Sequence, residues 1–542
     1  MKRILILICI LVLSSTVFGD IIYLNDGEEY SGRLEKIEKD NLYFRIDAEN
    51  SVRVFKKDDI EILKLSLLLE DSDKKHISEL NDPILSQAVN VNPDEIPESD
   101  SGYVILFEGV EFSPEQYSLR KIILITSESG TYIGDQRFYF KRDSEEFKIN
   151  FARTINRDGK IFNIYENGIQ EETINYDNQY SRMNGVKFTL PEVREGNIID
   201  FKVTKRSVKK VPLEEPYLSE VFIDAVPVLK KEVRISGFSG VQGYFEKVIN
   251  NNGEYGNPKV VKAVLGDRTI YMSTEIKQYS RETFIPPLKY IAPVIFAGVN
   301  LNEEELPGLV LADYPGDTEI LQKIFGEFYK KFSFGSLNEK LEEEFMIEVF
   351  GYLFQNLCSV DILPESYYFK PKSIKQIIDN KRGNYLDKNY FYLKAITLAD
   401  GFSGGLLFIA PFYDGPSEPE LLNLNQFYLP VTYIKTPSGK EFYIDAYSDK
   451  LTWGTVQDYY SGSAGILILK DRVEKKVFRM PEPEENFTET AINIKLQRNG
   501  DAEVYLKTVF HGIDSETVRE FKEYPNAEKL SLIHISEPTR PY

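Results

Sequence analysis

The chain has 542 residues, 42% of them hydrophobic, and a formal net charge of −20; it is long enough for several domains with sizeable cores. That acidic balance disfavours nucleic acid and anionic membrane surfaces as partners. Two Cys and three His lie far apart, which excludes a disulfide framework and a clustered zinc site, and no Gly-rich phosphate loop with Lys or HExxH helix occurs, so no metal or cofactor is expected.

Residues 1–19, "MKRILILICILVLSSTVFG", have the build of a secretory signal peptide. Lys2 and Arg3 form the basic start, an apolar stretch of about ten residues follows, and Val17 and Gly19 suit cleavage before Asp20. Ten apolar residues are too few to span a bilayer, and Cys9 leaves with the leader. The mature chain is expected to be exported to the periplasm, cell envelope or medium, with no transmembrane segment. Residues 20–66 then show short alternating runs (Leu42, Phe44, Ile46; Val52, Val54; Ile60, Ile62) between turn signals at Asn25-Asp26-Gly27 and Lys39-Asp40-Asn41. Five such strands close most simply into a small barrel. With Leu24, Asp26, Gly27 and Gly32 the segment resembles the SH3-like modules of exported bacterial proteins. Residues 67–101 turn acidic and Pro-bearing, which reads as a linker with one short helix; His76 there is expected to be a solvated surface residue.

Residues 102–305 run strand after strand with turn signals between, the pattern of a β-sandwich. Ala152, Asp158-Gly159-Lys160, Phe188, Leu190-Pro191, Gly196 and Asp200 follow the order of a bacterial domain of unknown function that habitually precedes a transglutaminase-like core. The segment resembles that domain. Helical periodicity begins near Asp317, in "DTEILQKIFGEFYKKF" and "LNEKLEEEFMIEVFGYLFQNL". Cys358 follows the second run and is expected to be a buried small hydrophobe.

"KSIKQIIDNKRGNYLDK" then reads as a turn at Arg382-Gly383, an N-cap at Asn384 and a helix to about Ala399, followed by strands in "GGLLFIAPF", "FYLPVTYIKT" and "KEFYIDAYSD". Residues 306–475 thereby resemble a transglutaminase-like, papain-related α+β core. In that family a Cys opens the helix, a His lies on the following strand and an Asp ends the next. The resemblance maps these positions onto Tyr385, Leu429 and Asp445, with Arg382, Gly383, Asp387 and Lys388 kept around the first. A phenol of ordinary pKa is ionised to roughly one part in a thousand at neutral pH, and Leu429 cannot take its proton. Cysteine chemistry is therefore not expected, and no catalytic triad is intact.

Residues 476–529 read as the start of a C-terminal β domain, with a hairpin around Asn499-Gly500 closed by His511. "LSLIHISEPTR", Leu530–Arg540, resembles a translated sequencing-library adapter, so residues 530–542 are expected to be foreign and the native chain to diverge at or before Leu530. Resequencing the locus without an amplified library is the check; these eleven codons in the genome would refute it. The sequence reads as an α+β multidomain protein with two functional classes open. One is a non-catalytic pseudo-transglutaminase that binds an envelope protein, peptide or glycan. The other is an enzyme of different chemistry, such as a hydrolase, using Tyr385 with Asp387 or Asp445.

Overall fold

The computed structural model describes residues 20–511 apart from 39–40, 47–50, 65–68, 166–167, 175–179, 251–257, 280–286, 334–337, 361–367, 449–452, 455, 457–459, 461 and 479–486. The expected leader, residues 1–19, and the adapter-like tail, residues 530–542, lie outside the described residues. The architecture is mixed α+β, dominated by several sheets.

The first sheet contains β1 (Asp20–Leu24), β2 (Glu29–Glu38), β3 (Asn41–Ile46), β4 (Ser51–Lys56) and β5 (Ile60–Lys64), in the order β4-β3-β2-β1-β5. Leu42, Phe44 and Ile46 turn inward as their alternation requires. Two expectations fail here. Val52 and Val54 are exposed, because Phe55 takes the inward position of β4 and packs its ring 5.1 Å from Tyr30 and 6.2 Å from Phe44. The edge strands β4 and β5 are not paired with each other among the described residues, so the sheet is open and forms no closed barrel. With one buried side chain on β4, little apolar surface is left to drive closure.

Within the segment expected to be a linker, residues 69–101 contain the expected short helix, α1 (Pro83–Val89), but they are docked on the next unit. Leu85 and Ala88 pack on Val104, Leu106, Ile122 and Ile155. His76 is exposed yet tied down: its ring nitrogen Nε2 donates to the Asp158 carbonyl (2.9 Å) and Nδ1 accepts from the Ser78 amide (3.2 Å).

The second unit is built from β6 (Tyr103–Phe112), β7 (Gln116–Ile125), β8 (Asp135–Lys141), β9 (Glu145–Ile155), β10 (Ile161–Asn163), β11 (Ile169–Thr173), β12 (Met183–Thr189), β13 (Ile198–Ser207), β14 (Tyr217–Val221), β15 (Val228–Ile235), β16 (Tyr244–Ile249), β17 (Val261–Leu265), β18 (Arg268–Ile276) and β19 (Val294–Val299). Eight strands form one sheet, β10-β9-β13-β7-β6-β15-β18-β17, and two three-stranded sheets, β11-β12-β8 and β14-β19-β16, stand beside it. The inner face of the large sheet packs Ile123, Ile199, Phe201 and Val233 against Phe188, Leu218, Ile295 and Ala297 of the small sheets, the layering of a sandwich. α1 covers part of its outer face. There Arg153 and Arg120 converge on the buried carboxylate of Asp200.

Short helices α2 (Leu288–Ile291) and α3 (Leu306–Val310) lead to α4 (Asp317–Ser333), α5 (Glu339–Asn356), α6 (Ile374–Asn380) and α7 (Tyr385–Thr397). Two-residue strands β20 (Cys358–Ser359) and β21 (Arg382–Gly383) pair in parallel. β22 (Ser403–Ile409), β23 (Leu429–Lys435), β24 (Glu441–Ile444), β25 (Ala464–Leu469) and β26 (Val473–Val477) form a sheet in the order β24-β23-β22-β25-β26. β25 and β26 escaped the sequence reading, although "GILIL" bounded by Asp471-Arg472 carries a strand-and-turn signal. Cys358 is exposed rather than buried: α5 ends at Asn356, Leu357 turns inward as its C-cap, and in the extended chain that follows the next side chain points outward. The hairpin of β27 (Thr488–Leu496) and β28 (Ala502–Phe510) turns at Asn499-Gly500 as expected, and His511 stacks on Phe487. Among the described residues no helix is long and apolar enough to cross a membrane.

Candidate functional site

The entry to α7 is built by two capping boxes in succession. Ser373 and Gln376 cap each other's backbone at the start of α6, and Asn384 and Asp387 do so at the start of α7. Between them the chain reverses at Lys381, which adopts a left-handed φ of 54°. Arg382 and Gly383 are therefore not the turn; they form the short strand that pairs with Cys358 and Ser359.

α7 is sheathed on both sides. Leu386, Tyr390, Phe391, Leu393 and Ile396 are buried; Tyr390 donates to the Ala312 carbonyl (2.6 Å), and Tyr392 donates to the Met346 carbonyl of α5 (3.0 Å). A Cβ at Gly404 would stand 2.3 Å from the Tyr433 carbonyl of the neighbouring strand and 3.0 Å from Leu393, so glycine serves both the strand pairing and the close approach of the helix to β22.

Tyr385 is the first residue of this helix. Its ring stacks on Tyr447 with centroids 3.6 Å apart and planes 20° off parallel. Tyr447 is fixed in turn: its hydroxyl donates to the Val360 carbonyl (2.9 Å), and its amide donates to Asp445 Oδ1 (3.0 Å). Asp445 is buried and so belongs to the turn that carries Tyr385's stacking partner. Asn389, one turn into the helix, completes the link. Its amide nitrogen donates to the Tyr385 carbonyl (2.9 Å), while its Oδ1 accepts from Thr432 Oγ1 (3.0 Å) and the Ala446 amide (3.2 Å). Sequence reasoning missed Asn389, whose burial on a helix enclosed on nearly all sides is seen only in the structure.

Asp387 and Lys388 face other tasks. The Asp387 carboxylate accepts from the Lys372 amide (2.8 Å) and the Asn384 amide (3.4 Å), with Lys372 Nζ at 3.6 Å. Burial pushes its carboxyl above the usual carboxylate range, against the pull of Lys372. Lys388 is fully buried, donating to Ser359 Oγ (2.8 Å) and the Tyr447 carbonyl (3.2 Å) with its ammonium 4.2 Å over Phe354. Both residues hold the helix entry.

Leu429 stands apart from this group. β22 and β23 pair from Ser403↔Lys435 to Ile409↔Leu429 without a register shift. Thr432 reaches Asn389 on α7, so strict alternation turns Pro430, Thr432 and Ile434 toward the helix and Leu429, Val431 and Tyr433 away from it. The structure thus brings Tyr385 and Asp445 to one turn and leaves Leu429 on the opposite sheet face. No group of three or more His, Cys, Asp or Glu among the described residues could hold a metal ion.

Residues 114–275 match DUF3857, a domain of unknown function. That segment reaches the helix entry directly. Tyr180 donates to the Arg382 carbonyl (2.9 Å) and carries Lys372 Nζ 3.0 Å from its ring centre. Arg182 lies over the ring of Tyr368 (4.0 Å), whose hydroxyl donates to Asp143. The DUF3857 segment is therefore part of the wall around α7. No curated protein matches the chain. A crystal structure from Parabacteroides distasonis ATCC 8503, described as a "putative protease", is similar over 74% of this chain and 79% of its own, with a TM-score of 0.55 and 15% sequence identity. At that identity the likeness concerns the fold.

Proposed function

We propose that this protein is a catalytically silent, transglutaminase-like protein of the bacterial cell envelope that binds a protein, peptide or glycan. The observation that carries the reading is the Tyr385–Tyr447 stack. At the helix N-terminus, where a thiolate would be stabilised, stands a phenol packed face to face on a second ring. Its neighbour Asp387 is occupied in a cap and with Lys372. The similar fold of the Parabacteroides structure and the DUF3857 match support the transglutaminase-like assignment, and the leader sequence supports export. An enzyme built on Tyr385 would need a base at its hydroxyl, and Asp387 is turned elsewhere.

The mature protein is expected to release no ammonia from glutamine-containing peptides and to hydrolyse none of them. The check is a coupled ammonia assay with peptide mass spectrometry over several hours. Activity that disappears in Tyr385→Phe would overturn the reading and restore a tyrosine-based enzyme.

A further inference from the structure

The register of β27 and β28 divides their hairpin into two unlike faces. Directly paired residues share a face, so Ile492↔Leu506, Ile494↔Val504 and Leu496↔Ala502 stand on one side together with Phe510. The other side carries Glu489, Asn493, Lys495, Glu503 and Lys507 around Tyr505 and Val509. Such a division is the mark of a sheet with one face packed and one solvated. Among the described residues nothing packs on it: neither strand holds a buried residue, and Ile492, Ile494, Leu496, Val504 and Leu506 are between 57% and 76% exposed. A two-stranded hairpin with a bare apolar face is marginal by itself in water.

We propose that residues 512–529 of the same chain cover this face as an amphipathic segment, with Val518, Phe521 and Tyr524 as its contacts. The inference does not depend on the reading of the Tyr385 site.

The segment reads "GIDSETVREFKEYPNAEK". Val518, Phe521 and Tyr524 recur every third residue, the spacing that puts them on one side of a helix and leaves Glu516, Arg519, Glu520 and Glu523 on the other. Asp514 and Ser515 supply a start signal, Glu516 an acidic first turn, and Pro525 a stop. The dimensions agree. Ten residues from Ser515 to Tyr524 make about 15 Å of helix, and the strand from Ile492 to Leu496 is about 14 Å long. The chain also leaves the hairpin at the right place. Phe510 belongs to the apolar face, and His511 is held beside Phe487 at the base of the hairpin by its N–H on the Phe487 carbonyl (2.9 Å) and by ring stacking. A turn at Gly512–Asp514 is all that is needed to send the segment back over the face toward Asn499-Gly500. Tethered this closely, it meets the face at an effective concentration on the order of millimolar, which a second copy or a free partner does not match in dilute solution.

The test is disulfide trapping in the full chain with Cys9→Ser and Cys358→Ser, so that only introduced thiols react. Phe521→Cys is paired with Val504→Cys or Leu506→Cys on the apolar face, and with Glu503→Cys or Lys507→Cys on the polar face. Copper-catalysed oxidation followed by peptide mass spectrometry is expected to link the apolar-face pairs within one chain about tenfold or more faster than the polar-face pairs. Adding Val518→Asp should slow the apolar-face pairs by about tenfold, whereas Glu520→Gln should leave them unchanged. Ending the chain after Lys529 should also leave them unchanged. Equal rates on the two faces would overturn the proposal. So would links formed only between chains, which would make the face a contact between two copies. Loss of the link on ending the chain after Lys529 would overturn it too, because residues 530–542 would then be the cover.

Discussion

Asp200→Asn is expected to destabilise the sandwich unit by about 3–5 kcal/mol, the loss found when one member of a buried ion network is removed. Asp200 is fully buried and accepts from two guanidiniums at once: Arg153 Nε (2.9 Å) and Nη2 (2.7 Å), and Arg120 Nε (3.0 Å) and Nη2 (3.1 Å). Asn keeps the shape but withdraws the charge and turns an amide donor toward one of two cations. Asp82, the N-cap of α1, would then be the nearer carboxylate for both, 2.6 Å from Arg120 and 3.7 Å from Arg153. Urea unfolding followed by far-UV circular dichroism should move to lower denaturant by about 1–3 M. Trp453, the chain's single tryptophan, donates to Tyr392 on α7 and reports the other unit. Its fluorescence transition should shift less. Adding Arg153→Met to Asp200→Asn should recover part of the loss, since one buried cation fewer then needs a partner. An unchanged dichroism transition would mean that Asp82 alone satisfies both guanidiniums.

Asp200 also shows why the resemblance to the DUF3857-type domain was legible. The residues that carried it have jobs that tolerate few side chains. Asp200 accepts from two arginines. Gly196 has a φ of +82°, and a Cβ there would collide with Arg157 at 2.0 Å. Phe188 and Phe201 meet edge to face inside the sandwich (6.0 Å). The helices were legible for a different reason: a 3.6-residue period marks α4 and α5, and local capping marks α5 and α7, without reference to the rest of the chain. Features set by long-range contact escaped. The docking of residues 69–101 rests on the Asp82–Arg120 pair and the burial of Leu85, and neither is visible in a short acidic segment. Alternation in β4 did not tell which parity faces inward, because Phe55 and Val54 compete for the same side. The same limit governs β23: the run "FYLPVTYI" shows a strand but not the face that α7 covers.

That limit leads to a second large effect. The resemblance to transglutaminase-like cores puts their imidazole at Leu429; by the pleat of β23, Pro430 shares the face of Thr432, which meets α7. Thr432 meets Asn389, and Ile434 and Leu393 both border the site of a Cβ on Gly404, so one step back along both elements Pro430 is expected on the side of Tyr385. Proline is tolerated there because β24 pairs with β23 only from Thr432 onward, leaving that edge without a hydrogen-bonding demand. Tyr385→Cys alone is expected to place a thiol at a capped helix N-terminus, with a somewhat lowered pKa and no base. Loss of the Tyr385 ring from its stack should cost about 1–3 kcal/mol. Adding Leu429→His should leave the thiol pKa unchanged and destabilise further, because the imidazole enters an apolar layer on the far side of the sheet. Adding Pro430→His instead should lower the thiol pKa by about one unit or more through an imidazolium partner. The measurement is the pH dependence of iodoacetamide alkylation, made in a Cys358→Ser background because that exposed thiol would label first. Equal thiol pKa values in Tyr385→Cys and Tyr385→Cys/Pro430→His, with a lower value in Tyr385→Cys/Leu429→His, would reverse the assignment of faces and favour Leu429 as the position that the resemblance gives to the imidazole.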